Sequence, residues 1–432
     1  MAELKETANK VQSKLEEKQI SKAWFVVQER ETQEFNMENG DFSLFRTLFD
    51  KALSVTTYQN QKKGVSTTNK LDDAAIEETI QAALAAAESA EADEAYDIAP
   101  KQENQSFEVG CYEPDLEKLF MRTKEFAEDI AKEFPKIQVM LMMVSHEKLH
   151  EIYRNTNGTE FETLGGKYLV IVEYSAGEGD KNTSVAVFGV ASADLDRPFM
   201  EMGATRQLFE NTQKQLETTT FEGKFEGTVV FMPDCLANFL NNLMMNYVGD
   251  GVILEKTSRW MDKIGQQVAD KRISISLNPM DERVVEYERY TADGFVSEPY
   301  DLIRNGELKS FMNSLYVANK TGGSPAKNAS HNIIMEAGDT SFQNLIKGVK
   351  KGLLLGGFSG GTPGTSGDFS GVAKNSFLIE DGEIKGAVNE VMVNGNLGDM
   401  LNHVVGISKE LVMDGESVLP YLAVDGIVIS GK

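Results

Sequence analysis

Cysteine, long hydrophobic runs and basic charge are all scarce in this chain of 432 residues, and each scarcity excludes a class of protein. Its two cysteines, Cys111 and Cys235, lie far apart and form neither a CxxC motif nor a disulfide framework. This excludes the small disulfide-stapled folds of secreted proteins and fits a reducing compartment. We therefore expect a cytoplasmic protein.

Hydrophobic runs stay short throughout the chain. The longest, residues 139–144, is far below the roughly 20 apolar residues that a membrane-spanning helix requires. The first residues, MAELKETANKVQSKLEEKQ, contain no apolar segment of the kind found in a signal peptide. The sequence therefore predicts a protein that neither spans a membrane nor carries an export signal.

Acidic residues outnumber basic ones by 67 to 43, which gives a net charge of −24. Such a charge repels the phosphate backbone of nucleic acids, and no basic stripe with interleaved aromatic residues offsets it. Direct binding of nucleic acid is therefore not expected. The acidity is typical of a soluble surface.

Helix and strand patterns predict an α+β protein with three domains. Residues 1–112 are expected to form a small α+β domain, of which the polar segment 93–112 is a linker. Residues 113–222 are expected to form a helix-plus-sheet domain, and residues 223–432 a larger C-terminal domain. The sheets would be mostly antiparallel, built from hairpins and flanked by helices. The sequence lacks the alternation of strands and helices that is typical of a parallel Rossmann sheet.

Two segments of the C-terminal domain carry the strongest hairpin signals. YDLIRNGELKSFM, residues 300–312, and SFLIEDGEIKGAV, residues 376–388, each place an Asn-Gly or Asp-Gly pair between two extended runs. These dipeptides favour the tight turns that connect antiparallel strands. A long helix is predicted over about residues 236–247, after Pro233 and Asp234.

The last third of the chain resembles the C-terminal signature of the TldD/PmbA family. The matching segments TSGDFSG, SFLIEDGEIK, AVNEVMVNGN and LGDML lie between residues 364 and 401. The strand EGTVVFMPD, the NTNG segment and the hairpin YQNQKKGVSTTN extend the resemblance over nearly the whole chain. Members of this family are also described as modulators of DNA gyrase or as peptide-maturation proteins. The resemblance implies a dimeric, cytosolic α+β protein.

The catalytic branch of this family is a zinc peptidase that acts on unfolded or small peptides. It carries an H-E-x-x-x-H motif on the helix that follows a V-V-x-x-P-[DE] strand. Here that helix reads PDCLANFLNNLMMNYVG, and the three motif positions are occupied by Asn241, Asn242 and Asn246. The catalytic branch also has a Cys-Gly motif near its C-terminus, whereas this chain has no cysteine after Cys235.

These replacements remove every chemical group on which the zinc chemistry depends. Zinc takes imidazole, thiolate or carboxylate ligands in proteins, and a neutral amide oxygen is a poor substitute. An amide does not titrate, so Asn242 cannot act as a general base. The chain therefore resembles the PmbA (TldE)-like branch, which lacks the zinc motif and pairs with a zinc-bearing TldD-like homologue. No cofactor is expected.

Two interpretations of the three asparagines remain open at this point. Either they line a surface or a relic cleft, or they contact a peptide. Asn242 and Asn246 are four residues apart and share a helix face, whereas Asn241 and Asn246 lie about 140° apart on an ideal helix.

The sequence also contains a literal HExxH motif, formed by His146, Glu147 and His150. It is the strongest evidence in the sequence for an alternative zinc site. On a helix it would place two imidazoles on one face beside a glutamate, as in zinc peptidases. The motif follows an apolar run typical of a strand, and the NTNG turn closes the element soon afterwards. We expect a hairpin edge with exposed histidines here, with a zinc site as the alternative.

The glycine-rich segment 356–371 has two interpretations that the sequence leaves equal. Gly360, Gly361, Gly367 and Asp368 are candidates for the wall of a peptide groove, because glycine permits the close approach of a peptide backbone. The same residues also suit plain turns, in which Asp368 would act as a cap. The GxxxxGK[ST] pattern is missing, so a phosphate-binding loop is not expected.

Three hypotheses for function follow. The first is a non-zinc-binding subunit or homologue that binds extended peptides or unfolded protein and supports proteolysis or peptide maturation by a catalytic partner. The second is an autonomous metallopeptidase that uses residues 146–150, and the third is a non-enzymatic peptide-binding homodimer. The choice between a homodimer and a heterodimer stays open.

Overall fold

Two large sheets organise the chain, one in each half, and helices pack against both. The computed structural model describes residues 2–361 and 363–431. Most neighbouring strands pair in antiparallel fashion, which confirms the α+β class with hairpin-built sheets. None of the helices in these residues combines the length and the apolar character needed to span a bilayer.

The first half of the described chain contains four α-helices and eight strands. The helices are α1 (Ala2–Glu17), α2 (Asp73–Ser89), α3 (Leu116–Glu133) and α4 (Thr205–Lys214). The strands are β1 (Ala23–Glu38), β2 (Asp41–Gln59), β3 (Lys62–Thr68), β4 (Gln105–Gly110), β5 (Ile137–Asn155), β6 (Glu160–Glu178), β7 (Lys181–Asn182) and β8 (Ala186–Ser192).

The first sheet includes strands from both of the first two predicted domains. Its order is β3-β2-β1-β5-β6-β4, and β7 and β8 pair with β6. β1 pairs with β5 from Trp24↔Asn155 to Glu38↔Leu141, across the boundary near residue 112. β4 lies in the segment expected to be a linker and pairs in parallel with β6. Residues 93–112 therefore contribute a strand to a sheet that both segments share.

Strands β1, β2, β5 and β6 are 16 to 19 residues long, whereas typical strands have about 5–6 residues. The sequence patterns indicate only parts of them, because polar residues interrupt the apolar runs. In β5 the polar residues 145–148 favour a break between two shorter strands. The structure has one continuous strand there, which pairs with β1 on one side and β6 on the other. Pairing on both sides outweighs the local signal, as is usual for central strands.

Helices cover one face of the first sheet. α1 and α2 pack against Phe25, Val27 and Ile152 in one buried cluster, and α3 and α4 pack against Val144 and Tyr168 in another. α2 begins where its sequence predicts, because the Asp72 side chain accepts hydrogen bonds from the first free backbone N–H groups of the helix. The opposite face of this sheet contacts the second half of the chain through Tyr287 and Tyr290.

The second half of the described chain contains five α-helices, a π-helix and fourteen strands. The helices are α5 (Pro233–Leu243), the π-helix (Met244–Val248), α6 (Asp250–Leu254), α7 (Leu315–Thr321), α8 (Phe342–Lys347) and α9 (Leu397–Met400). The strands are β9 (Thr218–Thr219), β10 (Lys224–Phe231), β11 (Ile275–Leu277), β12 (Tyr300–Arg304), β13 (Glu307–Leu308), β14 (Ile333–Met335), β15 (Lys351–Leu355), β16 (Gly357–Gly360), β17 (Asp368–Lys374), β18 (Phe377–Glu380), β19 (Glu383–Val388), β20 (Met392–Asn396), β21 (Val404–Met413) and β22 (Val418–Ser430).

Both predicted hairpins are present in the second sheet. β12 and β13 turn at Asn305 and Gly306, and β18 and β19 turn at Asp381 and Gly382. All four residues have left-handed φ values, between 50° and 77°. Two consecutive left-handed residues define the turn that matches the twist of paired strands.

Helix α5 lies on the second sheet and positions the candidate site. It begins at Pro233, where the missing N–H of proline costs nothing. Leu236, Phe239, Leu240 and Leu243 enter the largest buried cluster together with side chains of β10 and β22. This packing turns the opposite face of α5, which carries asparagines, away from the core.

Candidate functional site

A ladder of asparagine amides follows the outward face of α5. Asn238 Nδ2 donates to the Asp234 carbonyl oxygen at 3.1 Å, Asn242 Nδ2 to the Asn238 carbonyl oxygen at 2.8 Å, and Asn246 Nδ2 to the Asn242 carbonyl oxygen at 2.8 Å. Each donor lies four residues after its acceptor, so the three amides share one helix face. Their Oδ1 atoms accept no hydrogen bond from the described residues and remain available to a ligand.

Asn241 lies beside this ladder rather than in it. Its side chain is exposed, whereas Asn242 and Asn246 are half-buried. Asn241 lies in α5, whereas Asn246 lies in the π-helix that begins at Met244. Asn242 and Asn246 thus share a face with Asn238. The family motif does not include position 238, so the sequence analysis did not identify Asn238.

A cavity of about 240 Å³ lies between the asparagine ladder and the glycine-rich segment. Asn238 and Asn242 line it from α5, and Gly360 and Gly361 line it from the glycine-rich segment. The other lining residues are Cys235, Phe239, Phe358 and Pro363. A Cβ atom at Gly361 would meet nothing within 4 Å, so this position faces open space. The structure thus brings Asn242 together with Gly360 and Gly361.

Strand β16 supplies an open backbone edge beside the cavity. Among the strands that the structure describes, it pairs with β17 alone, from Gly357↔Lys374 to Gly360↔Gly371. Phe358 packs against Phe239 of α5, with ring centroids 5.2 Å apart, and fixes the strand to the helix. The unpaired N–H and C=O groups of such an edge can accept an extended peptide as an additional strand.

Gly367 and Asp368 lie at the other end of the glycine-rich segment and are not among the residues that line this cavity. Gly367 has a φ of 81°, and a Cβ atom there would lie 2.0 Å from Tyr247 Oη, so the position requires glycine. Asp368 Oδ1 accepts a hydrogen bond of 2.8 Å from Asn396 Nδ2. Both residues shape the turn that holds the segment against the π-helix.

Zinc does not fit the donor set of the asparagine ladder. Protein ligands of zinc are imidazole, thiolate and carboxylate, and this face offers neutral amides. Cys235 lines the cavity, but burial raises the pKa of its thiol far above the ordinary value, so it is a poor source of thiolate. No group of three or more His, Cys, Asp or Glu side chains within residues 2–361 and 363–431 is arranged to hold a metal. The residues instead support hydrogen bonding to a ligand.

The HExxH residues lie on strand β5 and not on a helix. Alternation along the strand puts His146 and His150 on one face and Glu147 on the other, and it separates the two histidines by about 13 Å. A single ion cannot contact both rings at that distance. The expectation of exposed histidines on a hairpin edge is wrong, because β5 is a central strand and the two side chains are 1% and 3% exposed.

Hydrogen bonds hold both histidine rings within the sheet layer. His146 Nε2 donates to the Cys111 carbonyl oxygen at 2.7 Å, and His150 Nε2 donates to Glu162 Oε1 at 2.9 Å. Burial lowers the pKa of both histidines below the ordinary value, and it outweighs the opposite effect of their acceptors. Both rings are therefore neutral at pH 7 and have a structural role.

Asp234 is a titratable group that the sequence interpretation missed. It lies in the first turn of α5, where burial and, to a smaller extent, the Asp414 carboxylate raise its pKa to about 6. A carboxyl with such a pKa exchanges its proton near neutral pH. The residues around Asp234 belong to distant segments of the chain and include Tyr174 and Tyr421. No local sequence motif could therefore identify it.

Known protein families match most of the chain. Residues 223–431 match the family described as the PmbA/TldA metallopeptidase C-terminal domain, and residues 25–87 match PmbA/TldA metallopeptidase domain 1. The metalloprotease PmbA homolog of Haemophilus influenzae is 25% identical over 403 residues, which cover 89% of this chain and 86% of that protein. Metalloprotease PmbA of Escherichia coli O157:H7 is 25% identical over 406 residues, which cover 87% and 86% of the two chains.

A solved structure shares the fold over the whole chain. The crystal structure of TldE from Thermococcus kodakarensis superposes with a TM-score of 0.86 at 18% identity. The match covers 98% of this chain and 100% of the other. At this identity the likeness establishes the fold, and the curated relatives carry the name metalloprotease.

The buried histidines predict a pH dependence of stability. Their folded pKa values lie below the unfolded value of about 6.5, so the unfolded chain binds more protons as the pH falls. Their stabilising contribution is present above pH 6.5 and is lost as the pH falls through the folded pKa values, at no more than about 1.4 kcal/mol per pH unit and ring. Urea unfolding of His146→Gln and His150→Gln should show a smaller loss of stability between pH 7.5 and 5.5 than the wild type.

The exposed His403 provides the matched control for this measurement. His403→Gln should retain the wild-type slope. All these variants retain Asp234, whose raised pKa has the opposite effect on the pH dependence of stability. The contribution of Asp234 therefore cancels when the variants are compared with the wild type. Equal slopes for all four proteins would contradict the assignment of neutral, buried rings.

The asparagine ladder should contribute little to stability. Asn238→Ala and Asn242→Ala remove amides from an outward helix face, and alanine has the higher helix propensity, by roughly 0.6 kcal/mol. We expect each variant to unfold at the same urea concentration as the wild type or at a slightly higher one. Leu240→Ala, on the buried face, should lose about 2–5 kcal/mol. A loss above about 1 kcal/mol for either asparagine variant would assign the amides to structural support.

Proposed function

The chain belongs to the TldD/PmbA family, and from this premise we propose that it is a non-zinc-binding subunit or homologue of a metallopeptidase. It binds extended peptides and supports their proteolysis or maturation by a zinc-bearing homologue. The observation that carries this proposal is the set of amides at the three motif positions, Asn241, Asn242 and Asn246, of which Asn242 lines a cavity next to an open strand edge.

The amides support binding without hydrolysis. A carboxamide both donates and accepts hydrogen bonds, which are the two requirements of a peptide backbone. It neither titrates nor binds zinc well, so it cannot activate a water molecule. The family name metalloprotease, which the curated relatives carry, therefore applies to this chain through its fold and not through a metal site of its own.

The open edge of β16 supports an extended conformation of the bound peptide. A peptide added to this edge would run next to the cavity that Asn238, Asn242, Gly360 and Gly361 line. Backbone hydrogen bonds along an edge give affinity with little dependence on side chains. This suits a protein that handles unfolded chains of varied sequence.

A second surface supports association with another subunit of the same fold. β2 pairs with β3 only from Leu53 onwards, so in the described structure residues 41–52 have one open backbone edge. The same stretch exposes Phe45 and Phe49, whose side chains are 59% and 71% exposed. A long apolar edge invites strand pairing unless it is covered. Both a second copy and a zinc-bearing homologue could cover it, and this observation keeps the non-enzymatic homodimer as a second candidate.

The compartment and the excluded partners follow from the same proposal. Cys111 and Cys235 are both free thiols, which fits a reducing cytoplasm. The net charge of −24 opposes direct contact with nucleic acid. Any relation to DNA gyrase would therefore act through a peptide or a protein.

A bulky side chain at Gly361 should block the peptide groove. Gly361→Trp places an indole in the open space of the 240 Å³ cavity without a backbone clash, since nothing lies within 4 Å of the Cβ position. We expect peptide affinity, measured by fluorescence anisotropy of a labelled unfolded peptide, to fall at least about tenfold. Hydrolysis by a mixture with a zinc-bearing homologue should fall in parallel.

Gly364→Trp is the matched control, because its Cβ position is also open and the residue does not line the cavity. It should leave peptide affinity unchanged. Equal effects of both substitutions would remove the groove assignment. One tightly held zinc per purified chain, lost on His150→Ala, together with hydrolysis in the absence of any partner, would overturn the proposed function.

The apolar edge of β2 predicts a specific effect on assembly. Phe45→Glu combined with Phe49→Glu adds two charges to the exposed edge and should shift the chain towards monomer in sedimentation velocity experiments, alone and with the zinc-bearing homologue. Val405→Glu, at a side chain that is 53% exposed on β21, should leave the sedimentation unchanged. A double variant that sediments like the wild type would assign the subunit interface to another surface.

A further inference from the structure

A larger cavity, of about 610 Å³, lies where the first sheet meets the residues that follow the π-helix. Five aromatic side chains from separate parts of the chain line it. They are Trp24, Tyr58, Tyr96, Phe295 and Tyr316. Tyr96 stacks on Tyr316 with ring centroids 4.7 Å apart and lies 5.8 Å from Tyr58. These rings give the cavity an aromatic wall of fixed orientation.

Hydrogen-bond acceptors converge on the same cavity. Asp250 Oδ1 accepts from Ser314 N, and Asp293 Oδ2 accepts from Leu315 N, each at 2.8 Å. No side-chain donor in the described residues bonds to either carboxylate. Asn313 also lines the cavity, and its side chain is buried, with only 6% of the residue exposed. Asn313 Oδ1 has no hydrogen-bond partner among the described groups, and a buried acceptor without a donor is costly.

The charges around the cavity are mainly negative. Asp97 is paired with Lys22 at 2.8 Å, which leaves Asp250 and Asp293 as carboxylates without an ion pair in the described structure. The cationic side chain of the lining is Lys63, which is exposed and forms no ion pair with a described residue. His331 is exposed as well. The cavity lining therefore includes two carboxylates without an ion pair and a buried amide oxygen, and Lys63 at the rim is its lysine.

We propose that this cavity binds an organic ammonium group on an apolar stem, such as a lysine side chain or the amino terminus of a peptide. Aromatic faces attract cations, carboxylates neutralise them, and an ammonium group supplies the donors that Asn313 Oδ1 and the two carboxylates lack. As a site for part of a peptide, the cavity rests on the proposed function and adds a preference for positive charge.

The electrostatics of the lining agree with this ligand. Burial raises the pKa of Asp293 above its ordinary value, and the hydrogen bond from Leu315 N and the charge of Lys63 offset this only in part. Burial also raises the pKa of Tyr58 to about 12, so its hydroxyl stays protonated and its ring stays neutral. An anionic ligand would meet two carboxylates, and a purely apolar ligand would leave Asn313 Oδ1 without a donor.

The cavity and the peptide groove border one continuous stretch of the chain. Asn242, at the end of α5, lines the groove, while Gly249 and Asp250, just beyond the π-helix, line the larger cavity. Only the π-helix and Leu243 separate these lining residues along the sequence. One peptide can thus place its backbone at β16 and a positive group in the aromatic cavity.

The test uses blocked tripeptides and the fluorescence of Trp24 in the full chain. Trp260→Phe removes the other tryptophan of the sequence and leaves Trp24 as the reporter at the cavity. The probes are Ac-Ala-Lys-Ala-NH2, its Nε-acetyl-lysine form, H-Ala-Ala-Ala-NH2 and Ac-Ala-Ala-Ala-NH2. We expect one or both ammonium-bearing peptides to bind at least about tenfold more tightly than their acetylated forms. The first pair tests a side-chain ammonium group and the second pair a terminal one.

Three variants assign binding to the cavity. Asp293→Asn and Asn313→Leu should each weaken binding of the ammonium peptide at least about tenfold, whereas Lys63→Met should strengthen it because it removes a competing cation. Asp301→Asn, on β12 outside the cavity, is the matched control and should bind as the wild type does. Thermal midpoints of all variants, and calorimetry with the two-tryptophan chain, exclude unfolding and loss of the reporter as causes.

Equal binding of acetylated and unacetylated peptides, or unchanged binding by Asp293→Asn, would overturn the ammonium site. That outcome is distinguishable from failure of the proposed function. If peptides still bind and Gly361→Trp still abolishes binding, the groove stands and only the ammonium site fails. If the cavity variants weaken binding while Gly361→Trp has no effect, the ammonium site stands without the groove.

Discussion

Burial of one face of α5 is the constraint on which the rest of the site depends. Leu236, Phe239, Leu240 and Leu243 are locked into the largest core cluster, between strands β10 and β22. A helix fixed in rotation by four buried side chains must present the residues opposite them. Asn238 and Asn242 therefore line the cavity beside β16, and Phe358 on that strand packs against Phe239 of the helix.

The same rotation explains why the loss of three motif side chains need not disturb the fold. Polar substitutions on the outward face leave the packing of the inward face unchanged, so the helix can exchange zinc ligands for amides at little energetic cost. The sheet edge and the glycine-rich segment then keep their geometry without a metal. Asn396 Nδ2 and Tyr247 Oη both donate to the Ser366 carbonyl oxygen, at 2.8 and 3.5 Å, and these two hydrogen bonds hold the segment in place.

The sequence predicted those parts of the molecule in which local signals agree with tertiary packing. The hairpin turns at Asn305 and Asp381 follow from dipeptides that prefer left-handed φ values, and α2 follows from its cap at Asp72. The long strands were only partly predictable, because their polar residues are compensated by pairing partners more than 100 positions away. The burial of His146 and His150 has the same origin, since it comes from the helices and strands around β5.

The candidate site also has parts that the local sequence predicts and parts that only the tertiary structure brings together. The asparagine positions were accessible because they lie within one helix, and even Asn238 could have been found from its spacing of four residues before Asn242. The cavity that includes Trp24, Asp293 and Asn313 could not be predicted, because Trp24 is 269 positions before Asp293 and the three residues share no motif. Only the fold brings them together, and only burial without a partner distinguishes Asn313 from an ordinary loop asparagine.

Binding and catalysis impose different demands on this architecture, and that difference explains how one can persist without the other. Hydrolysis of a peptide requires a charged or metal-bound group placed to stabilise a developing charge, and the removal of one such group ends it. Holding an extended chain requires an unpaired strand edge, a few neutral donors and acceptors, and space for the backbone. In the function proposed here, peptide binding uses β16, the glycine-rich segment and the aromatic cavity, and none of these depends on the residues at positions 241, 242 and 246 alone. Under the proposed function, amides at the three positions therefore leave the binding surface in place, and the open edge of β2 would place that surface next to a subunit that retains the chemistry.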